Sequence, residues 1–245
     1  MAKQSGLGDN LYIAGYDVSG DIGSLSSIAG PRGVTDVTGI DKSAFERLLL
    51  GKDGSIEFSS WFNPSAGQAH DRLEDLPTTD QILTYCRGTT LGNPAAAMVA
   101  KQINYDGTRA ADGAFSFNTS AQANGYGLEW GRQLTAGKRT DTTATNGTGV
   151  DHTDVSTAFG WQAYLHVFSF TGTSVTVTLQ DSADNSSFAA ITGGAFTAAT
   201  GVTSQRLEGA RDATVRRYVR VATSGTFTSA VFAVMFVRNT TSVVF

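Results

Sequence analysis

The chain is short of reactive side chains. Its 245 residues include one cysteine, Cys86, and three histidines that are scattered along the sequence. A single cysteine cannot form an intramolecular disulfide, which fits a reducing or redox-indifferent folding compartment. Charged residues make up only 16% of the chain, and the net charge of −4 argues against a nucleic-acid binder that grips phosphates. It does not exclude a surface that lets DNA pass.

Long apolar runs are also absent. No stretch approaches the roughly 18 consecutive apolar residues of a membrane helix. The first ten residues lack the apolar core of a signal peptide. We therefore expect neither a membrane anchor nor secretion.

What the chain does contain is β-strand pattern. Residues 55–62, 114–119 and 174–180 place apolar side chains at every second position, and turn residues bound these segments. Glycine is abundant, at 28 residues, and suits turns and bulges. The sequence predicts a mainly β protein that stacks or binds rather than reacts.

The composition changes near residue 140, where residues 134–156 become rich in Thr, Gly and Asp, as in a linker or a long surface loop. We predict two domains, residues 1–145 and 146–245. The acidic excess belongs to the first, with 16 acidic against 12 basic residues, while the second has six of each.

The first domain is predicted to mix strands with two short helices. One helix would begin at Asp41 or Ser43 and end at Leu50, and the other would span residues 65 or 67 to 76. Residues 19–38 form a long excursion or an extended hairpin. Strands are predicted at 11–18, 55–62, 80–87, 95–105, 113–124 and 127–134. The second domain should be a β-sandwich with strands at 161–170, 174–181, 203–207, 214–223 and 230–238, and a turn at 182–187.

No motif for catalysis emerges. The sequence has no nucleophile elbow, P-loop or dinucleotide loop. We interpret His70 as a solvated histidine and His166, inside a strand, as a packed or edge histidine rather than a ligand. His152, between Asp151 and Asp154, could bind a metal, but its segment lacks a rigid frame. The turn with Asp181, Asp184 and Asn185 is too small a ligand set for calcium. We expect no catalytic, cofactor or metal site and no enzyme activity.

Several segments together carry a family resemblance. They are residues 33–40 (GVTDVTGI), 44–48 (AFERL), 51–58 (GKDGSIEF), 61–63 (WFN), 83–85 (LTY), 100–105 (AKQINY) and 112–117 (DGAFSF). Over about residues 10–135 the chain resembles the major tail tube proteins of long-tailed bacteriophages, especially those of actinobacterial hosts. The C-terminal part resembles the β-sandwich modules that decorate phage tail and fibre proteins.

The resemblance implies a tail-tube-type β-sandwich or barrel with a short flanking helix and a long loop, followed by an outer β-sandwich. Copies would form hexameric rings that stack into a tube, through which DNA passes without specific binding. Other tail proteins, namely the tape measure, terminator and baseplate or distal tail proteins, would be partners in a virion assembled in the host cytoplasm. Our candidate assembly residues are Asp17, Ser19, Asp21, Arg32 and Asp36.

Two alternatives remain open at this point. One is another virion component, such as a capsid decoration or fibre protein. The other is a carbohydrate-binding β-sandwich or a glycosidase, for which Glu57 and Glu129, each near a tryptophan, are the candidate carboxylate pair.

Overall fold

The computed structural model describes residues 5–153 and 155–243. The predicted fold class is confirmed, since strands dominate and regular helix is confined to α1 (Ala69–Leu73) and a 3-10 turn at Ser19–Asp21 within the described chain. The strands are β1 (Asn10–Ile13), β2 (Tyr16–Asp17), β3 (Ile22–Ala29), β4 (Arg32–Asp36), β5 (Arg47–Lys52), β6 (Ser55–Trp61), β7 (Gln81–Cys86), β8 (Pro94–Arg109), β9 (Phe115–Ala123), β10 (Glu129–Gln133), β11 (Arg139–Asp141), β12 (Val150–Asp151), β13 (Trp161–Ser182), β14 (Ala189–Ala195), β15 (Thr203–Glu208) and β16 (Tyr218–Arg238).

All strands except β4 and β5 belong to one folded-over antiparallel sheet. It makes four layers. Layer one is β3-β6-β9 with the distal half of β8, and layer two is β2-β1-β7 with the proximal half of β8 and β10. Layer three contains the first half of β13 with the last half of β16, and layer four contains their remaining halves.

Three apolar cores separate the four layers. The first, between layers one and two, includes Phe58, Leu83 and Met98. The second joins the N-terminal and C-terminal parts through Tyr12, Tyr164 and Met235 among others. The third fills the C-terminal sandwich. Successive residues of one strand therefore point into different cores, because side chains alternate across a strand.

The third core exists because two long strands bend. β13 and β16 pair along nearly their whole length, from Trp161↔Arg238 to Ser182↔Tyr218. Register shifts near Gly172 interrupt the ladder. Gly172 and Gly225 have φ values of +149° and +119°, which side chains rarely permit. The ribbon folds over its own apolar face there, as bulges allow. The prediction of two separate strands at 161–170 and 174–181 is wrong, since both belong to β13.

Residues 134–156 do not form a free linker. β11 and β12 pair with β16, and Leu134 and Val150 lie in the C-terminal core. Small polar residues suggested a linker because short edge strands need few apolar side chains of their own. The boundary at residue 145 stays a prediction.

The two helix predictions have opposite outcomes. α1 lies inside the second predicted helix, and its Ala69 and Leu73 are buried. The first predicted helix is wrong, because Arg47–Lys52 is a strand paired with β4. The spacing of Phe45, Leu48 and Leu49 suggested a helical face, but these side chains stay exposed and pack on no core.

We predict that Gly172→Ala destabilises the protein by about 1–3 kcal/mol, because the residue keeps a strained backbone conformation. Its Cβ would also lie 2.6 Å from the carbonyl oxygen of Thr226. Urea unfolding measures the change. The matched control is Gly201→Ala, since a Cβ there meets nothing within 4 Å and the backbone is unstrained. Equal midpoints for the two variants would contradict this account of the bend.

Candidate assembly surfaces

Residues 31–53 form a two-stranded hairpin, which we call the arm. Its strands β4 and β5 pair only with each other among the described residues and make a sheet separate from the main one. The arm continues the β3–β6 hairpin outward, since Asp53 N donates to Pro31 O at its base. A lone two-stranded hairpin is marginally stable in water. The arm is thus a segment with little support from the rest of the described chain.

Both faces of the arm carry exposed apolar side chains. Val34 is opposite Leu49 on one face, and Thr35 is opposite Leu48 on the other. The three apolar members are 53%, 64% and 57% exposed, respectively. Leu50, also exposed, lies against Gly33 on the second face. Because water meets apolar surface on both sides, covering the arm requires two contacting surfaces.

The tip of the arm is held by local polar contacts. Thr38 donates its hydroxyl proton to Asp36 Oδ1 at 2.5 Å and accepts from Glu46 N at 2.9 Å. The hydroxyl and the backbone N–H of Thr38 lower the pKa of the Asp36 carboxyl below its usual value. These contacts order the tip of the arm within the chain itself. An ordered segment would lose less entropy on binding than a disordered one.

The five predicted assembly residues have different surroundings. Arg32 and Asp36 lie on the exposed arm. Asp17 accepts from the Ser19 hydroxyl, with an oxygen–oxygen distance of 2.5 Å, and pairs with Lys138, with an oxygen–nitrogen distance of 2.5 Å. Asp21 is buried and accepts from Asn63 and from the backbone of Ala69, so it positions the start of α1. Only the arm pair has the exposure that a contact between subunits needs, while all five assignments stay predictions.

Layer one has an unpaired strand at each side. β3 pairs only with β6, and the distal half of β8 pairs only with β9, among the described residues. An edge strand presents free N–H and C=O groups that can pair with another chain. A groove of about 790 Å³ runs beside β3, and it is lined partly by Leu11, Leu25 and Tyr85. The Asp9–Arg87 ion pair borders this groove, with an oxygen–nitrogen distance of 2.8 Å.

The outer face of layer one is mostly polar, with Trp61 opposite Ser116 and Lys101 opposite Gln122. The cross-strand pairs Glu57↔Ser120 and Ser59↔Asn118 occupy its centre. The face also includes Ser24, Ser27, Ser55, Ser116, Gln122, Asn104, Asp106 and Thr108. The nearest lysine, Lys101, lies at its border and pairs with Asp80 at 2.8 Å. Sequence reasoning missed this face, since it needs the register of four strands.

The candidate glycosidase carboxylates do not share a site. Glu57 is exposed on the outer face of layer one, whereas Glu129 is buried between layers two and three. Glu129 accepts from Tyr164 at 2.5 Å and pairs with Arg206 at 3.3 Å. The first core lies between the two carboxylates, so they cannot flank one glycosidic bond.

His152 and His166 are buried, and His70 is partly buried. His70 is half-buried and pairs with Glu74 at 2.9 Å, which differs from the predicted solvated histidine. Burial and nearby arginines lower the pKa of His152 to about 3. Asp154, its possible partner in metal binding, lies outside the described residues. Among those described, no group of three or more metal-ligating side chains occurs.

His166 is packed, as predicted. It lies in the second core, where its Nδ1 accepts from Gly15 N at 3.1 Å and its Nε2 contacts Thr84 Oγ1 at 2.9 Å. These bonds connect the β1–β2 turn and β7 of the N-terminal part to β13. Complete burial lowers the pKa of the imidazole to about 3. His166 therefore fastens the two parts as a neutral ring.

The search of the described residues finds no helix that could span a membrane. No family model and no curated protein matches the chain. Among solved structures, it is similar to the SPP1 Dit (gp 19.1) protein, described as a paradigm of the hub adsorption apparatus in Gram-positive-infecting phages. The identity is 11%, over 94% of this chain and 99% of that chain, with a TM-score of 0.34.

Two phage p2 baseplate structures in the activated conformation are also similar. The one with Sr shares 10% identity over 94% of this chain and 98% of that chain, with a TM-score of 0.36. The one with Ca shares 11% identity over the same fractions, with a TM-score of 0.34. Similarities at this level carry no argument about function.

We predict that acid destabilises the packing of the N-terminal part on the C-terminal part, because protonation of His166 is unfavourable in the fold. Its pKa falls from 6.5 in the unfolded chain to about 3 in the fold, so the unfolded chain binds more protons between these values. The free energy of unfolding should then drop as pH falls below 6.5, by up to about 1.4 kcal/mol per pH unit from this residue. His166→Gln should reduce that slope in urea unfolding at pH 4 to 7. Phe168→Leu, a neutral change in the same core region, should lower stability and keep the slope; equal slopes for wild type and His166→Gln would refute the assignment.

Proposed function

We propose that this protein is a structural virion protein that polymerises into stacked hexameric rings and forms a bacteriophage tail tube through which DNA passes. The observation that carries the proposal is the arm, with unburied apolar side chains on both faces. The sequence resemblance to tail tube proteins over about residues 10–135 agrees with it. In this proposal, each copy is completed by its neighbours.

The open sides of layer one suit a closed ring. Pairing the β3 edge of one copy with the β8 edge of the next is a heterologous contact, which closes into a ring when the rotation allows. Two register shifts in the β3–β6 pairing increase the local twist, as curved sheets require. Each copy would supply four strands to a common barrel.

The size of such a barrel is compatible with DNA. Six copies would contribute about 24 strands, and at roughly 4.8 Å per strand the circumference would be about 115 Å and the radius about 18 Å, before strand tilt widens it. The two grooves of a B-form duplex are together about 16 Å deep, which approximates the width of the duplex. A duplex of that width fits within a ring of this radius.

The polar outer face of layer one would line the channel. Lysine and arginine bind phosphates and would hold DNA in place. Lys101 at the border of this face is paired with Asp80. The rest of the face offers hydroxyl and amide groups with the carboxylates of Glu57 and Asp106, which repel phosphates. The C-terminal sandwich would lie outside, and the tape measure, terminator and baseplate proteins would be further partners in the virion.

We predict that Leu48→Asp with Leu49→Asp abolishes polymerisation, because each arm face then carries a charge that cannot be buried unpaired. Electron microscopy of concentrated wild-type protein should show rings or tubes, and the variant should stay monomeric. Val202→Asp is the matched control, since Val202 is an exposed apolar residue of the C-terminal sandwich, 43% exposed. A wild-type protein that remains monomeric at high concentration would overturn the proposed function.

We further predict that Ser59→Arg with Asn118→Arg makes assembled tubes retain DNA. The substitutions add two positive charges per copy to the channel face, so a fluorescent 20-base-pair duplex should co-sediment with the tubes and be released by salt. Wild-type tubes should retain little duplex. Ser186→Arg with Ser187→Arg, on an exposed turn of the C-terminal sandwich, adds the same charge elsewhere. Equal retention by both variants would place this face outside the channel.

A further inference from the structure

The sequence contains the dipeptide Asn-Gly twice, at Asn124–Gly125 and at Asn146–Gly147. The backbone nitrogen of such a glycine can attack the side-chain amide of the asparagine, because both groups are held in one dipeptide and glycine has no Cβ to block the approach. Both asparagines are exposed to solvent. The two sites are thus alike in sequence and exposure, and they differ in how the structure holds their backbones.

The backbone of Asn146–Gly147 is bound to a strand. Gly147 N donates to Val221 O at 2.8 Å, and Asn146 forms an antiparallel bridge with Ala222. A Cβ on Gly147 would lie 2.8 Å from Val221 O and closer still to a guanidinium nitrogen of Arg139, so the site is closely packed. The nitrogen that would attack Asn146 cannot approach the side chain unless this backbone hydrogen bond breaks.

The backbone of Asn124–Gly125 has no such contact. It lies in the connection between β9 and β10, and Gly125 has a φ of +76°. Within the described chain, Gly125 N donates to no acceptor. A Cβ on Gly125 would meet nothing within 4 Å. The nitrogen that follows Asn124 is therefore unpaired and in open space, as the attack requires.

The side chain of Asn124 is held beside a lysine that could compete for the same carbon. Asn124 Nδ2 donates to Asp80 Oδ1 at 2.9 Å, and Lys101 Nζ pairs with the same oxygen at 2.8 Å. Lys101 also donates to Thr78 O. An amine that pairs with a carboxylate is an ammonium and has no lone pair for attack. Gly125 N is therefore the nucleophile at this site.

We infer that Asn124 is a site of self-modification, at which Gly125 N displaces ammonia from the side chain and solvent water then converts the residue to aspartate or isoaspartate. The identical dipeptide at Asn146 stays intact in the folded protein. This inference does not depend on the proposed function.

The reaction needs no reactant other than water. Gly125 N loses its proton to solvent and forms a bond to Asn124 Cγ, and the Cγ–Nδ2 bond breaks as ammonia leaves with a proton from solvent. The product is a cyclic imide, which water opens at either carbonyl. Opening at Cγ gives aspartate, and opening at the backbone carbonyl gives isoaspartate, whose main chain runs through Cγ.

The conversion removes a donor and adds a charge beside Asp80. Hydrogen bonds from Lys101 first and from Asn124 second lower the pKa of the Asp80 carboxyl. A carboxylate at position 124 would remove the second bond and add a like charge, so the pKa of Asp80 should rise. Ala123 N donates to Gly54 O at 2.8 Å, so the modified residue also lies next to the base of the arm.

Peptide mapping by mass spectrometry tests the inference. The folded protein is kept at mildly alkaline pH in water enriched in heavy oxygen, and samples are digested over time in ordinary water. Asn124 should become aspartate or isoaspartate with one heavy oxygen atom at least about tenfold faster than Asn146, because reaction at Asn146 must wait for local opening. In urea that unfolds the chain, the two rates should converge, since the dipeptides are the same.

Gly125→Ala is the matched variant, because the added methyl group has room and shields the attacking nitrogen. It should slow the conversion of Asn124 and leave the rate at Asn146 unchanged. The same comparison is made in urea, where the strain of a positive φ on alanine is absent.

Three outcomes would overturn the inference. The first is an equal rate at the two sites in the folded protein, or no conversion of Asn124 over the time in which the unfolded chain reacts. The second is a difference between the sites that persists in urea, since the fold would then not be its cause. The third is a peptide cross-linked from Lys101 to Asn124, which would make the lysine the nucleophile. The presence or absence of tubes bears on none of these outcomes.

Discussion

Two glycines allow the longest strands of the protein to fold back over their own apolar side chains. In the β13–β16 ladder, Gly172 is paired with Phe227 and Gly225 is paired with Val175. Both glycines adopt backbone angles that would strain a residue with a side chain. The bend puts the odd-numbered residues of the first half of β13 and those of its second half into one core. The even-numbered residues of the first half are then available to cover the N-terminal part. Layers three and four follow from that bend.

Much of the fold could be predicted from alternation alone. The β6 and β9 strands lie where apolar residues occur at every second position, because one face of each is buried and the other is not. Alternation could not predict the bent β13–β16 ribbon. Glycine between two apolar runs is typical of a turn, and a bulge within a continuous strand leaves the same local pattern.

The helix predicted within the arm was wrong for a different reason. Phe45, Leu48 and Leu49 have the spacing of a helical face, and that prediction assumed a core for them to pack against. Periodicity reports which side chains need burial, but no core of the described chain covers these residues, so the backbone is free to be extended. The exposed surfaces needed the register of four strands and the ends of β6, which no local window contains. The exposed residues Leu48, Leu49 and Trp61 could be recognised in the sequence only as apolar positions.

The strand β10 pairs with β8 on one side and with β16 on the other. Backbone hydrogen bonds therefore run without interruption from the N-terminal sheet into the C-terminal sandwich, and the second core reinforces them. A pull or twist applied to the C-terminal sandwich would load these bonds in shear rather than move the sandwich about a flexible tether. The N-terminal sheet and the C-terminal sandwich therefore respond to force as one stiff unit.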